Sequence, residues 1–300
     1  MKRSGVRLTG GIPISNKANL TLFDVLEQGS SVDAGTELTA SAQSLQEQLV
    51  QVRKTELAGL AASIEEQYGA IHVKSIVKLG QPAIEVIRHV LRENHDLVIK
   101  GAEGQVGKFH AVFGSTELKL LRKCPCPVWL IKLSRQKRLS RILAAVDLSS
   151  NARDKASLDR LIMTLAASLV SRDESELHVA HAWTVANEQK LRGRQILKTT
   201  VDRLLVSMES ACQKQLDELL AKFPHSNAKG HLIRGEPKDV ILRFVGENKV
   251  DLVVLGTVAR VGLPGFFIGN NAESILNAVD CSVLAIKPDR FETPVSISES

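Results

Sequence analysis

Residues 235–287 repeat residues 80–132 at one fixed offset, and that constraint governs what this chain can fold into. Gly80-Gln-Pro82 returns as Gly235-Glu-Pro237, Asp96-Leu-Val-Ile-Lys-Gly101 as Asp251-Leu-Val-Val-Leu-Gly256, and Gly114 as Gly269. Cys126-Pro-Val-Trp-Leu-Ile-Lys132 returns as Cys281-Ser-Val-Leu-Ala-Ile-Lys287. Every pair lies 155 positions apart (256 − 101), so no insertion separates the copies over this stretch. The chain is a tandem duplication. Its 300 residues suit two domains of ordinary size, each long enough to bury a core. The repeat places them at 1–134 and 141–290, with a linker at 135–140 and a polar tail at 291–300.

Composition narrows the class. Apolar residues make up 44% and charged residues 24%, as in a soluble globular protein. No apolar run is long enough to span a bilayer, and residues 1–16 carry Lys2, Arg3 and Arg7 without an apolar stretch behind them. The expectation is a cytoplasmic protein with no membrane partner. Four cysteines over this length form no disulfide framework and suit a reducing compartment. Cys124 and Cys126 bracket a single proline, and no second pair follows at zinc spacing, so buried structural thiols are expected. A net charge of +6 raises the question of nucleic acid. The cations are scattered, though, apart from Arg135, Lys137, Arg138 and Arg141, and one tyrosine and two tryptophans offer little base stacking. A solvated linker explains that cluster better.

The second repeat reads as strands alternating with helices: strands at 141–147, 176–183, 230–234, 251–255 and 282–286, and helices at 153–170, 199–223 and from Pro237, placed as an N1 proline. Strict alternation implies a doubly wound, flavodoxin-like or Rossmann-like parallel sheet with helices on both faces. The first repeat matches from strand two onward, with strands at 19–26, 73–78, 96–100 and 128–131 and a helix at 44–68. Its opening strand would fall before Met1. Where its opening helix belongs, residues 1–15 hold Gly5, Gly10, Gly11 and Pro13. Strand one is internal in this strand order, so its loss leaves two neighbours unpaired. Either the true start lies upstream, which that cost favours, or the first half is remodelled and leans on the second domain or another subunit.

The chemistry gathers after strand four. Gly101-Ala-Glu-Gly104 is followed, nine residues on, by Gly114-Ser115-Thr116 at the head of a helix. Ligands of open parallel sheets bind beyond the carboxyl ends of the strands. Glycines there admit a phosphate to the backbone amides, a helix N-terminus adds partial positive charge, and Ser115 and Thr116 add hydroxyl donors. Glycines in tight βα turns have purely conformational uses too.

The spacing Gly-x2-Gly-x9-Gly-Ser, preceded by Asp-Leu-Val-Ile-Lys and followed by Leu-Arg-Lys-Cys-Pro-Cys-Pro-Val, resembles the nucleotide-binding signature of the universal stress protein family. The resemblance covers both halves, from Leu20 to Lys132 and from Arg141 to Pro288, and is to the tandem-domain type. It implies an α/β sandwich, with ATP and magnesium as the ligand, an aspartate ending strand one near the adenine, and the glycine motif around ribose and phosphates. Carried onto these residues, the match is divided. The first half has Gly101, Gly104, Gly114 and Ser115 but no strand-one aspartate. The second has Asp147, Gly256 and Gly269, with Ala259 where the motif has its second glycine and Asn270 where it has serine or threonine. Ala259 adds a methyl group where the phosphate approaches, Asn270 still offers an amide donor, and Arg260 is placed to contact a phosphate or to sit solvated.

Other candidates have plainer readings. Asp147 suits a helix-cap role as well as adenine contact. His178 and His181, three apart on a strand, face opposite sides, so metal binding by the pair requires a bulge and structural roles are expected. Trp129 and Trp183 suit packing between sheet and helix. Three functions follow. The leading one is a cytoplasmic stress-response binding module that holds an adenine nucleotide or other small ligand and acts through protein partners or self-association, with at most slow ATP hydrolysis. The second is a scaffold with degenerate sites, in which the strand-five edge, a dimerisation surface in the resembled family, is satisfied within one chain. The third is an enzyme on the same sheet, for which no acid or base presents itself.

Overall fold

The computed structural model describes residues 19–27, 36–69, 71–101, 113–132, 139–148, 153–173, 175–185, 188, 198–257 and 269–297. Within them the chain from 96 to 294 forms a larger compact unit, and the chain up to 95, with 295–297, a smaller one. The division cuts through the first repeat.

The smaller unit holds β1 (Asn19–Leu26), α1 (Thr36–Tyr68), β2 (His72–Leu79) and α2 (Pro82–Glu93). β1 and β2 pair in parallel, Asn19 opposite His72 and Leu26 opposite Leu79. Leu57, Ala61, Ile64 and Tyr68 recur at helical spacing on α1 and pack with Leu20, Leu22, Ile71 and Val73. Arg53 Nε, on the same helix, donates to Asp24 Oδ2 at 2.8 Å. α1 begins earlier than the expected residue 44, because residues 36–43 are helix-compatible but lack the apolar period that marks the rest.

The larger unit runs β3 (Val98–Gly101), α3 (Ser115–Lys123), β4 (Val128–Ile131), β5 (Arg141–Val146), α4 (Arg153–Asp173), β6 (Glu176–Trp183), α5 (Lys198–Leu220), β7 (Lys229–Arg234), α6 (Pro237–Asn248), β8 (Leu252–Gly256), α7 (Asn270–Ala278) and β9 (Ser282–Ile286). Its seven-stranded sheet has the order β3-β4-β9-β8-β5-β6-β7. The second repeat supplies the parallel run β9-β8-β5-β6-β7, the doubly wound order with its first strand, β5, in the middle. Covered on both faces, these strands are near-continuous apolar runs, and Ile142, Leu143, Leu252, Val253 and Val283 are fully buried.

The first repeat contributes the other two strands. β4 runs antiparallel to β9, with Val128 opposite Ala285, Trp129 opposite Leu284 and Leu130 opposite Val283, and β3 pairs with β4. The strand-five edge is thus satisfied inside the chain. Equivalent lysines cross this seam: Lys132 Nζ donates to the carbonyl of Val279, and Lys287 Nζ to the carbonyl of Leu121 at 2.8 Å. Each cation meets the carboxyl end of the other repeat's helix, where the last carbonyls lack partners and the dipole is negative. Arg122 and Glu273 form an ion pair across the same seam.

In the second repeat β5 joins β6 to β8, whereas among the described residues no strand takes that place between β1 and β3. The described strands of the first repeat accordingly fall into two sheets, β1 with β2 and β3 with β4. Elsewhere the repeats agree down to single dihedrals. Gly80 and Gly235 turn at φ 142° and 145°, ahead of N1 prolines Pro82 and Pro237, and α2 and α6 both end on a left-handed residue, Asn94 at φ 52° and Lys249 at 49°. Both glycines lie where a β-carbon is strained.

Remaining expectations resolve as follows. Arg141, grouped with the linker cations by charge, opens β5 as the strand reading has it, paired with Glu176 of β6, and its guanidinium donates to Glu176 at 3.3 Å and to the carbonyl of Asn248 at 3.0 Å. His178 and His181 do face opposite sides: His178 Nδ1 lies 3.0 Å from His231 Nε2 beside Phe244, while His181 meets the end of β5. Trp183 packs with Val201, Leu205 and Cys212, and Trp129 is buried. Cys124, Cys212 and Cys281 are buried, Cys126 is half-buried, and all four are free thiols. No helix among the described residues is long and apolar enough to cross a membrane. Residues 1–15, read as a missing opening helix, lie outside the described residues, as do Arg135, Lys137 and Arg138.

Candidate nucleotide-binding site

The two glycine motifs sit beyond the carboxyl ends of β3 and β8, in one sheet. Because β4 and β9 are antiparallel, these ends open in opposite directions, so the two crevices are separate and can be compared directly.

In the first crevice β3 ends at Gly101, and Gly114 stands in the N-cap position of α3, extended at φ −74° and ψ 179°. Ser115 is exposed and Thr116 half-buried in the first turn, as a phosphate cradle requires. The same helix head carries an acid of its own. Glu117, third residue of the helix, folds its carboxylate back so closely that a β-carbon on Gly114 would lie 2.7 Å from its Oε2. Its other oxygen accepts from Lys100 Nζ at 2.5 Å, and its side chain is 2% exposed against 24% for the lysine. A carboxylate at a helix N-terminus meets partial positive charge and unpaired amides, as an incoming phosphate would.

The second crevice lacks both members of that pair: Leu255 stands at the position of Lys100 and Ala272 at that of Glu117. β5 ends at Val146, and the Asp147 amide donates to Oδ1 of Asp159, a buried carboxylate on α4, at 3.0 Å. The Leu148 amide donates to His181 Nδ1 at 3.3 Å. These contacts fix the turn after β5 and leave Asp147 exposed beyond the sheet. On the neighbouring strand Thr257, 1% exposed, donates its amide to Ile286 and accepts at its carbonyl from the Gly269 amide at 3.1 Å. That bond holds the head of α7 against the end of β8. Asp147, Gly256 and Gly269 are thereby brought together, with the first amides of α7 facing a turn that lacks the Glu117 carboxylate. Gly269 spends its own amide on Thr257, so the donors available are those of Asn270 onward.

Gly256 has a packing role that the motif reading missed. A β-carbon there would lie 2.7 Å from Leu158 Cδ2 on α4, whereas on its equivalent, Gly101, it would meet nothing within 4 Å. Gly256→Ala is expected to lower stability by about 1–3 kcal/mol through overpacking, with Gly101→Ala within about 0.5 kcal/mol of wild type. Thermal denaturation of the two variants, made in parallel, checks the difference.

Gly104, Arg260 and the departure at Ala259 lie outside the described residues. Asp159 and Thr257 were missed from sequence, whereas His181 was expected in the structural role that it has at the end of its strand. Polar residues buried in a helix, at a strand end and after a strand are a usable signal, but only once their partners across the sheet are known.

The comparisons agree with this architecture. The model of the universal stress protein family matches residues 13–132 and again 139–287. Among curated proteins, universal stress protein E of Salmonella typhi is 28% identical over 292 residues, spanning 94% of this chain and 88% of that protein. Universal stress protein E of Photorhabdus laumondii is 25% identical over 303 residues, spanning 100% and 91%. A crystal structure of a functionally unknown protein from Pseudomonas aeruginosa PAO1 superposes with a TM-score of 0.64 at 25% identity, covering 91% of this chain and 83% of that one. A universal stress protein from Archaeoglobus fulgidus shares the fold, with a TM-score of 0.57 at 19% identity and coverage of 90% and 87%. With a family model matched in both repeats, the seam between their fifth strands and the glycine-flanked crevices in place, this chain belongs to the universal stress protein family.

Proposed function

We propose that this protein is a stress-response binding module with one working nucleotide site, in the second repeat, and that the first repeat's site is closed by its own ion pair. The supporting observation is the contrast between the helix heads: Glu117 with Lys100 fills that of α3, while Ala272 and Leu255 leave that of α7 to a ligand. The ligand is an adenine nucleotide, ATP carrying its magnesium. Its phosphates take the amides of Asn270 and the residues after it, and Asp147 receives the adenosine end. Binding, and not turnover, is the activity, exerted through partners.

Calorimetric titration with magnesium and ATP tests this reading. The expected result is one site per chain, weakened about tenfold or more in Asp147→Ala, which corresponds to about 1.4 kcal/mol, and unchanged in Gly114→Asp. Two sites, or loss of binding in Gly114→Asp alone, would reverse the assignment of the halves. Absence of heat would favour the scaffold reading, which has an observation of its own: α1 exposes Leu45, Leu49 and Val52 at helical spacing, as a partner-binding face does.

A further inference from the structure

Cys124 and Cys126 lie where α3 ends and β4 begins, remote in role from the nucleotide crevices. Cys124 is the C-cap residue of α3, its amide bonded to the Leu120 carbonyl at 2.9 Å, and it is fully buried. Cys126 is half-buried. Their sulfurs are 3.6 Å apart, hydrogen-bonded, across a single proline whose ring restricts the backbone between them. Two residues of chain span at most about 7 Å between α-carbons, close to the upper limit of about 6.8 Å for a disulfide. Beside the pair stands Lys287, 5% exposed, its ammonium bonded to the Leu121 carbonyl and 4.8 Å from the centre of the Phe291 ring.

We propose that Cys124 and Cys126 are a reversible dithiol–disulfide switch, oxidised by hydroperoxides and seated against Lys287 at the seam between the two repeats.

The electrostatics support the geometry. The hydrogen bond from Cys126 first, and the Lys287 charge after it, hold the Cys124 thiol below its ordinary value against the opposing effect of burial. Burial in turn pushes Lys287 down to about 8, an effect that the two sulfurs oppose. A buried ammonium and a thiolate therefore stabilise one another, and thiolate is the reactive form.

In the reaction Cys126, the sulfur nearer to solvent and held as the thiol by its hydrogen bond to Cys124, attacks one oxygen of the hydroperoxide as its proton passes to the Cys124 thiolate. An S–O bond forms, the O–O bond breaks, and the departing alkoxide takes that proton back from Cys124 to leave as alcohol, which restores the Cys124 thiolate. The Cys124 thiolate then attacks the sulfenic sulfur. The S–S bond forms, the S–O bond breaks, and the leaving hydroxide becomes water with the proton that Cys124 released to solvent on ionising. Two electrons pass from the sulfurs to the peroxide. The short ring is strained, which makes the bond readily reducible and the step reversible. Oxidation also removes the thiolate facing Lys287, so the lysine that ties β9 to α3 loses a counter-charge.

The full-length protein treated with hydrogen peroxide, quenched with an alkylating reagent under denaturing conditions and mapped by peptide mass tests this directly. The expected result is loss of two of the four alkylatable thiols together, with the peptide bearing Cys124 and Cys126 lighter by two hydrogens and restored by a reductant. In Cys124→Ser, reaction stops at a sulfenic acid on Cys126 that a dimedone probe captures. In Lys287→Met, oxidation at neutral pH slows by at least about threefold. Cys124→Ser carries the test if Lys287→Met fails to fold. The proposal is overturned if both cysteines stay alkylatable while Cys212 or Cys281 is oxidised, if the only disulfide joins two chains, or if Cys124→Ser yields no sulfenic acid. No nucleotide enters the test, so its outcome is independent of the reading above.

Discussion

Replacing Lys100 by Met is expected to lower the stability of the larger unit by about 3–5 kcal/mol, because it strands the Glu117 carboxylate in a place that water hardly reaches. The cost of breaking a buried pair from one side exceeds the worth of the pair. Removing both partners leaves no uncompensated charge, so the double variant Lys100→Leu with Glu117→Ala, the residues the second repeat uses at Leu255 and Ala272, is expected to recover most of the loss. Denaturant unfolding followed by tryptophan fluorescence suits the measurement, since both tryptophans, Trp129 and Trp183, belong to the larger unit. A Lys100→Met variant within about 1 kcal/mol of wild type would show that Glu117 is not held as an anion at the head of α3, and that the ion pair does not close the first crevice.

The second large effect concerns the seam between the repeats. Trp129→Ala is expected to cost about 3–5 kcal/mol, lowering the melting temperature of the larger unit by roughly 10 °C. Trp129 is 5% exposed and stands opposite Leu284, itself 3% exposed, in the antiparallel pairing of β4 with β9. Truncation opens a cavity between two strands whose backbone bonds hold them in place, so the site cannot collapse around the missing indole. Trp183 remains as the fluorescent probe, packed in its own cluster with α5. A change below about 1 kcal/mol would mean that β4 does not share the cooperative unit of β9, and the pairing of the fifth strands would lose its standing as a structural seam.

The repeat at an offset of 155 was legible in the residues alone, and with it the strand and helix sequence of the second half. Local backbone chemistry repeats with the sequence: Gly80 and Gly235 share a left-handed turn, and each is followed by a proline that opens a helix. Apolar runs as continuous as those of β5, β8 and β9 announce buried parallel strands without any partner being known. Such properties are set within a few residues of themselves, which is why periodicity and turn chemistry reveal them.

The candidate site was legible only in outline. Glycine spacing located both crevices, and the residues divided the motif between them, but Glu117 reads in sequence as an ordinary first-turn acid. That its carboxylate folds over Gly114 and meets Lys100 depends on β3 and α3 lying side by side, a relation between segments seventeen residues apart. A β-carbon at Gly256 would crowd Leu158 on another element, and the Asp147 and Leu148 amides donate to Asp159 on α4 and His181 on β6. The division of the first repeat followed from edges: a strand pairs with whichever edge is open to it. β3 and β4 found β9, and β1 and β2 found each other. From sequence came the elements and their repetition, set by local periodicity; which edges joined, and which side chains met at each helix head, came from contacts between residues that only folding brings together.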